Sequence, residues 1–106
     1  MYARRVIMQL KPNSAPEFTQ RLESEVLPLL RKQKGLQDEI TFVATGGKEA
    51  FGISLWDRTD SAEAYGRTAY PEVVKMLEKV VDGTPRVETF EVSNSTFHKI
   101  AATATV

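Results

Sequence analysis

Residues 40–56 read ITFVATGGKEAFGISLW, which is the pattern of two β-strands joined by a tight turn. On either side of the turn, over about residues 36–45 and 49–56, the side chains alternate in character as they do in strands. Gly46 and Gly47 tolerate the positive φ angles that hairpin turns require. The sequence therefore predicts a β-hairpin in the middle of the chain.

The rest of the chain places one strand and one helix on each side of this hairpin. Alternation predicts the strands and apolar residues at helical spacing predict the helices, at about residues 2–10, 14–35, 60–81 and 86–92. Pro28 predicts a kink in the first helix, because proline lacks a backbone N–H. Gly66 and Pro71 predict a break in the second helix.

The predicted order of elements, β-α-β-β-α-β, defines a fold class. It is the order of ferredoxin-like α+β domains, which have an antiparallel four-stranded sheet with helices on one face. A chain of 106 residues has the length of one domain. We therefore expect a single domain over residues 1–106, with a core at about residues 2–92 and a tail at 93–106. A short extended piece is expected in the tail around Thr96–Ala101.

Helices on one face leave the other face of the sheet open. The residues expected on the open face mix apolar with hydroxyl side chains, whereas a solvated sheet face is mostly polar. They are Ile7, Thr41, Val43, Thr45, Ser54 and Trp56. This mixture predicts a homodimer that packs sheet against sheet. A second interpretation adds a small-molecule cavity, lined by this face or by the side that faces the helices.

Composition argues against several classes of protein. Lysine plus arginine and aspartate plus glutamate number 14 each, so we expect neither a nucleic-acid binder nor a polybasic membrane-surface protein. With no cysteine and one histidine, we expect no metal site, unless a second subunit or carboxylates supply the missing ligands. The N-terminal residues do not read as a signal peptide, and no run approaches the ~20 apolar residues of a membrane helix. A cytoplasmic location is expected.

Two stretches of the chain resemble a known family. Residues 26–36 read VLPLLRKQKGL, and residues 52–65 read GISLWDRTDSAEAY. Both resemble the antibiotic biosynthesis monooxygenase domain of the dimeric α+β barrel superfamily, and the resemblance extends over roughly residues 2–92. It implies a homodimer whose two sheets pack together into a barrel, with a pocket between the sheet and the helices of each subunit.

The resemblance also implies a kind of chemistry. The family includes cofactor-independent monooxygenases of quinols and polyketide anthrones, in which the substrate reduces O₂ while the protein holds a phenolate or enolate in a dry pocket. We therefore expect a cofactor-independent monooxygenase acting on a small aromatic or quinol-like molecule. The alternative is a non-catalytic dimer of the same fold that binds a small ligand or takes part in a stress response.

A frequent family pattern is a Glu, a Trp two residues later and a His on the following helix. Trp56 matches the tryptophan, whereas Ser54 stands at the position of the Glu and Tyr65 at that of the His. The haem-degrading branch of the family uses a His of the second helical region as its axial ligand. Residues 60–81 contain no His, so we expect neither haem nor another cofactor.

Aromatic residues supply the first candidates for a substrate site. Trp56 and Tyr65 are predicted to be catalytic and to contact the substrate, and Tyr70 is predicted to contact it as well. A tyrosine hydroxyl can donate a hydrogen bond to a substrate oxygen, and the helix break at Gly66 and Pro71 can form the pocket mouth. The structural alternative is packing in the core or at a dimer interface, where the Trp56 N–H would need a partner.

Polar residues complete the predicted site. His98 is a candidate general base, because imidazole titrates near neutral pH and a tail residue could reach the partner's pocket. Arg67 could bind an anionic substrate through charge-assisted hydrogen bonds, and Ser54 could line a polar patch. Alternatively, His98 is incidental, Arg67 is solvated and Ser54 is an ordinary strand hydroxyl.

Charged residues in the first and last strands are interpreted as ion pairs. Arg4, Arg5 and Arg86 lie in strands that are expected to be neighbours, and Glu88 and Glu91 lie close enough to neutralise them. We therefore expect ion pairing, and no anion-binding site, among these residues.

Overall fold

The computed structural model describes residues 1–100 and confirms the predicted order of strands and helices. The elements are β1 (Tyr2–Leu10), α1 (Ala15–Arg21), a π-helical turn (Leu22–Val26), α2 (Leu27–Arg31), β2 (Leu36–Val43), β3 (Glu49–Trp56), α3 (Thr59–Thr68), α4 (Tyr70–Leu77) and β4 (Val81–Glu91). The extended piece predicted around Thr96–Ala101 forms no strand up to residue 100, and residues 101–106 lie outside the described residues.

The four strands form one antiparallel sheet in the order β2-β3-β1-β4, so β3 and β1 occupy its centre. Side chains of the helices pack over one face of this sheet. The architecture is therefore the predicted ferredoxin-like α+β class. In the part of the chain that the structure describes, no helix is long and apolar enough to cross a membrane.

Cross-strand pairing defines which residues share a face of the sheet. One row on the helix-covered face consists of Glu39, Ser54, Arg4 and Thr89, one residue from each strand. A neighbouring row on the open face consists of Phe42, Phe51, Ile7 and Arg86. The sheet thus turns one row of polar side chains toward the helices and exposes large apolar side chains on its other face.

The prediction of which face is open is wrong for most of the residues concerned. Ile7 lies on the open face as expected, but four residues face the helix side, namely Thr41, Val43, Ser54 and Trp56. Thr45 lies beyond the end of β2. The rule that apolar residues face inward fails here because the open face is itself strongly apolar, with Ile40 56% and Phe42 45% exposed.

The first helix contains the irregularity that its proline predicts. A π-helical turn, Leu22–Val26, immediately precedes α2, and the N–H of Leu27 reaches the carbonyl oxygen of Leu22. Pro28 lies in the first turn of α2, where its missing N–H leaves the regular helical pattern incomplete. The turn directs the side chains of Leu22 and Val26 toward the sheet.

The last strand begins earlier than predicted. α4 ends at Leu77, and β4 starts at Val81, within the stretch that the pattern assigned to a helix. The predicted stop at residues 82–85 lies inside β4, where the pairing with β1 shifts register and Gly83 has a φ of 74°. A bulge of this kind lets a strand continue through residues that otherwise indicate a turn.

Candidate active site

A cavity of about 200 Å³ lies between the sheet and the helices. Its helical wall is apolar and includes Leu22, Val26, Leu30, Val73 and Leu77. Its sheet wall carries polar groups that include Arg4, Glu39, Thr41 and Ser54. The cavity therefore combines an apolar surface suited to a ring with a few polar groups that can orient it, as ligand pockets commonly do.

Small residues on β3 leave the space for this cavity. Gly52 and Ser54 face the helices at the centre of the sheet and line the cavity. Larger side chains at these positions would fill the gap between sheet and helices, as Trp56 fills it at the end of the strand. The cavity thus follows from the alternation of small and large residues along β3.

Arg4 is the most unusual polar residue of the cavity. It is only 7% exposed, and its guanidinium carbon lies 5.2 Å from the ring centre of Tyr65 and 4.5 Å from that of Tyr70. Within residues 1–100 its Nη1 is buried with no hydrogen-bond partner. An unmet buried donor costs about 1–3 kcal/mol, and more when it is charged, so this guanidinium is prepared to bind an acceptor.

Glu39 brings a carboxyl group into the same cavity from the edge strand β2. The Thr41 hydroxyl lies 2.9 Å and 3.2 Å from the two carboxyl oxygens and can donate to them. A Cβ atom on Gly52 would lie 2.8 Å from Oε2 of Glu39, so the glycine provides the space for the carboxyl group. Burial raises the pKa of Glu39 above its ordinary value of 4.5, although the bond from Thr41 opposes this shift.

Tyr65 and Tyr70 close the cavity beside Arg4. They lie on α3 and α4 on either side of the helix break at Ala69, with ring centres 6.1 Å apart. Burial raises the pKa of both phenols, and the charge of Arg4 offsets only part of the rise. Both hydroxyls therefore stay protonated at neutral pH and can donate a hydrogen bond.

Trp56 is packed in the core behind the cavity. Its side chain has 0% exposure, and its ring centre lies 5.0 Å from that of Tyr65. Its indole N–H donates a 2.9 Å hydrogen bond to the hydroxyl of Ser54. Trp56 therefore supports two residues that line the cavity, Tyr65 and Ser54, without lining it itself.

The structure brings together some of the predicted site residues and separates others. Ser54, Tyr65 and Tyr70 line the cavity. Arg67 is exposed and lines a different, open groove between α3 and the strands β1 and β4, which Arg4 also lines. His98 is hydrogen-bonded to Asp38 of β2 and does not line the cavity of its own subunit.

Three charged residues line the cavity, and sequence reasoning missed all of them. Arg4 and Glu39 reach it from the sheet, and the exposed Glu78 lies just after α4. Arg5 pairs with Glu88 at 3.2 Å as predicted, but Arg4 points to the opposite side of the sheet, where it makes no ion pair with another described residue. One signal was present, because Arg4 alternates in phase with the inward-facing Val6 and Met8. A charge in phase with core residues indicates either a buried pair or a site.

Metal ligands do not gather at the cavity or elsewhere in the described chain. No cluster of three or more histidine or acidic side chains that could hold an ion occurs within residues 1–100. The groups that line the cavity are a guanidinium, two carboxyls, three kinds of hydroxyl-bearing side chain and an apolar wall.

Solved structures similar to this chain share its fold over nearly its whole length. A monooxygenase of Streptomyces coelicolor, solved with the ligand nanaomycin D, has a TM-score of 0.75 and 12% identity, covering 92% of each chain. A cofactor-independent oxygenase of Streptomyces nogalater has a TM-score of 0.73 and 11% identity, covering 92% of this chain and 97% of that one.

A third similar structure, a protein of unknown function from Nitrosomonas europaea, has a TM-score of 0.75 and 15% identity, covering 92% of this chain and 94% of that chain. No protein-family model matches the sequence, and neither does any curated protein. At these identities the likeness shows the fold alone. The resemblance to antibiotic biosynthesis monooxygenases is therefore confirmed as a resemblance of fold.

Proposed function

We propose that this chain is a cofactor-independent monooxygenase that oxidises a small aromatic or quinol-like molecule in the cavity between sheet and helices. The observation that carries the proposal is the cavity itself, in which Arg4, Glu39 and Tyr65 surround a space with an apolar wall. Two proteins of the same fold are named a monooxygenase and a cofactor-independent oxygenase, which supports this kind of chemistry.

The reaction balances without a bound redox group. When a ring CH₂ of an anthrone becomes C=O, the substrate gives up four electrons and two hydrogens to O₂. One oxygen atom enters the product and the other leaves as water. Because the substrate supplies all the electrons, the protein needs only to bind it, to help remove its proton and to exclude bulk water.

Among the predicted residues, Tyr65, Tyr70 and Ser54 are proposed to contact the substrate. The two phenols can donate hydrogen bonds to a substrate oxygen, and Ser54 lies between Glu39 and Arg4 in the cross-strand row of the sheet. Trp56 is proposed to position Ser54 and Tyr65 through its hydrogen bond and its ring contact. A catalytic role for His98 and substrate binding by Arg67 stay predictions. Both residues lie outside the cavity, which does not favour these roles.

A homodimer that packs sheet against sheet is part of the proposal. Large apolar side chains of the open face support it, namely Ile40, Phe42, Phe51, Ile53, Leu55 and Phe90. An apolar face can pack against its own copy across a two-fold axis, and a net charge of zero gives the two copies little mutual repulsion. A second copy of the chain is therefore the proposed occupant of the open face.

A non-catalytic module that binds a small ligand remains the second candidate. The cavity of about 200 Å³ is smaller than ordinary ligand pockets of roughly 300–1,000 Å³, which favours a one-ring or two-ring ligand. Ser54 and Tyr65 also replace the Glu and His of the family pattern. This candidate predicts binding of aromatic molecules without consumption of O₂.

Oxygen uptake distinguishes the two candidates. The wild-type protein, treated with a chelator, is mixed with a panel of quinols and anthrones in an oxygen electrode, with the protein-free autoxidation rate subtracted. The proposal predicts uptake with at least one compound and a loss of about tenfold in Tyr65→Phe, because a donor to the reacting oxygen is removed. Tyr2→Phe, which changes a tyrosine outside the cavity, is the matched control. Binding without uptake across the panel would favour the non-catalytic module.

A further inference from the structure

We propose that Glu39 and Arg4 act together on an aromatic hydroxyl compound, Glu39 accepting its proton and Arg4 holding the oxyanion that results. In this step the O–H bond of the ligand breaks, the proton moves to a carboxylate oxygen of Glu39, and the electron pair stays on the ligand oxygen. N–H donors of Arg4 then bind that oxygen. The inference rests on the proposed function, for which it names the groups that ionise the substrate.

The pairing of the strands sets the distance between the two groups. Glu39, Ser54 and Arg4 form one row across β2, β3 and β1 on the helix-covered face. Neighbouring strands lie about 4.8 Å apart, so the Cα atoms of Glu39 and Arg4 are separated by roughly 10 Å. The two charged groups therefore face a common space that can admit an oxygen atom of a flat ring between them.

Glu39 is held in a position that suits a proton acceptor. The Thr41 hydroxyl fixes the carboxyl group, and the missing side chain of Gly52 gives it a place against β3. Among the described residues Thr41 is the one side chain hydrogen-bonded to Glu39, so lone pairs of the carboxylate remain available. Neither Thr41 nor Gly52 can neutralise the carboxylate, which leaves it able to take a proton from a ligand.

Arg4 is held in a position that suits an oxyanion. In the described chain no carboxylate lies within ion-pair distance of its guanidinium, although the residue is only 7% exposed. The rings of Tyr65 and Tyr70 flank the guanidinium and restrict its movement. This guanidinium lacks a counter-ion and has an unused donor. A phenolate oxygen would supply both the negative charge and the hydrogen-bond acceptor.

Spectroscopy without oxygen tests the role of Arg4. The probe is 4-cyanophenol, which is largely un-ionised in water at neutral pH and whose phenolate has its own ultraviolet band. Under nitrogen, the wild-type protein is expected to bind it as the phenolate and to lower the pKa of the ligand by about one unit or more.

In Arg4→Met the phenolate band of the bound ligand is expected to disappear and the affinity to fall about tenfold. Arg4→Lys keeps the positive charge and is expected to restore part of the band, which separates a charge effect from a loss of packing. Arg58→Met, which removes an exposed arginine at the start of α3, is expected to behave as wild type. Binding of the neutral phenol by the wild type would overturn the proposal.

Calorimetry in two buffers of different ionisation enthalpy tests the role of Glu39. If Glu39 takes the proton, the wild type releases none to the buffer when it binds 4-cyanophenol as phenolate. Glu39→Gln lacks this acceptor and is expected to release one proton per bound phenolate, because the remaining carboxyl group of the cavity, Glu78, is exposed to solvent. Glu72→Gln, which changes an exposed glutamate of α4, is the control and should match the wild type. Release of a proton by the wild type at neutral pH would contradict the assignment of Glu39.

A second variant protects this test from effects of the removed charge. Gly52→Ala leaves Glu39 ionisable but pushes its carboxyl group away, because the new Cβ would lie 2.8 Å from Oε2. It is expected to release a proton on binding, as Glu39→Gln does. Ionisation of the probe without any oxygen uptake would refute only the proposed oxygenase function. Oxygen uptake that survives in Arg4→Met and Glu39→Gln would refute only this inference.

Discussion

The indole N–H of Trp56 donates a hydrogen bond of 2.9 Å to the hydroxyl of Ser54, and both side chains are buried on the helix-covered face of β3. The two residues lie two positions apart on the strand, so they point to the same side. This contact satisfies the one polar atom of a fully buried tryptophan and orients a hydroxyl at the edge of the cavity. It links the core of the domain to the candidate site.

Ser54→Ala is expected to lower the stability of the domain. The substitution leaves the Trp56 N–H buried without its acceptor, which costs about 1–3 kcal/mol in the free energy of unfolding. Urea unfolding measures this loss. Ser24→Ala, which removes an exposed hydroxyl from the π-helical turn, is the control and should change stability by less than about 0.5 kcal/mol. Equal stability of Ser54→Ala and wild type would contradict the role assigned to this contact.

Glu39 is expected to make stability fall as pH rises. Because burial raises the pKa of this carboxyl above 4.5, the folded state holds its proton to higher pH than the unfolded state does. Between the two pKa values the folded state binds more protons, so raising the pH favours unfolding.

Urea unfolding of wild type and Glu39→Gln across a pH series isolates this effect, since the other titrating groups are common to both proteins. The difference in unfolding free energy, wild type minus variant, is expected to decrease as pH rises from about 4.5 through the folded-state pKa and then to level off. A difference that does not change with pH would show that Glu39 titrates alike in both states.

The open sheet face is expected to hold the dimer together. Phe42 stacks on Phe51 with ring centres 4.8 Å apart and is 45% exposed in the single subunit. Phe42→Glu places a charge in the proposed interface and should shift the protein from dimer to monomer in sedimentation equilibrium. Phe97→Glu changes a phenylalanine of the tail that is 83% exposed and should leave the mass unchanged. A wild-type monomer at micromolar concentration would contradict the dimer.

Gly35 is expected to resist substitution. Its φ is 88°, a conformation that residues with a Cβ rarely adopt, and a Cβ there would overlap the side chains of Asp57 and Ser61. Gly35→Ala should therefore destabilise the fold by more than about 1 kcal/mol. Gly46→Ala, at a turn position with open space around it, is the control in the same thermal unfolding experiment. Similar melting temperatures for the two variants would contradict the prediction that position 35 requires glycine.

The order of elements could be predicted from the sequence because local signals specify it. The glycines at residues 46 and 47 mark the hairpin, and the alternation in residues 2–10 and 49–56 marks β1 and β3 with the bounds that the structure gives. The start of β4 was predicted too late, because glycine and proline usually end an element. Here Gly83 and Pro85 lie in a bulged strand that pairs with β1. Local signals do not reveal pairing between distant strands.

Which face of the sheet the helices cover could not be predicted from alternation, because both faces of β3 are non-polar enough to be buried. Phe51 faces away from the helices and Gly52 toward them, the reverse of the expectation that larger apolar residues face a monomer core. Ser54, Tyr65 and Tyr70 of the cavity could be predicted from the sequence, whereas Glu39 could not. Glu39 reaches the site only as the cross-strand partner of Ser54, a relationship that depends on register.

The most direct test of the proposed function uses labelled oxygen. Wild-type protein in ordinary water, with a chelator present, is incubated under ¹⁸O₂ with the quinol or anthrone that gives the fastest protein-dependent oxygen uptake, and the product is analysed by mass spectrometry. We predict a product that carries one ¹⁸O atom and forms well above the protein-free rate, with the second atom recovered in water. A labelled product that forms no faster with the protein than without it, or a product whose new oxygen comes from water, would contradict a monooxygenase.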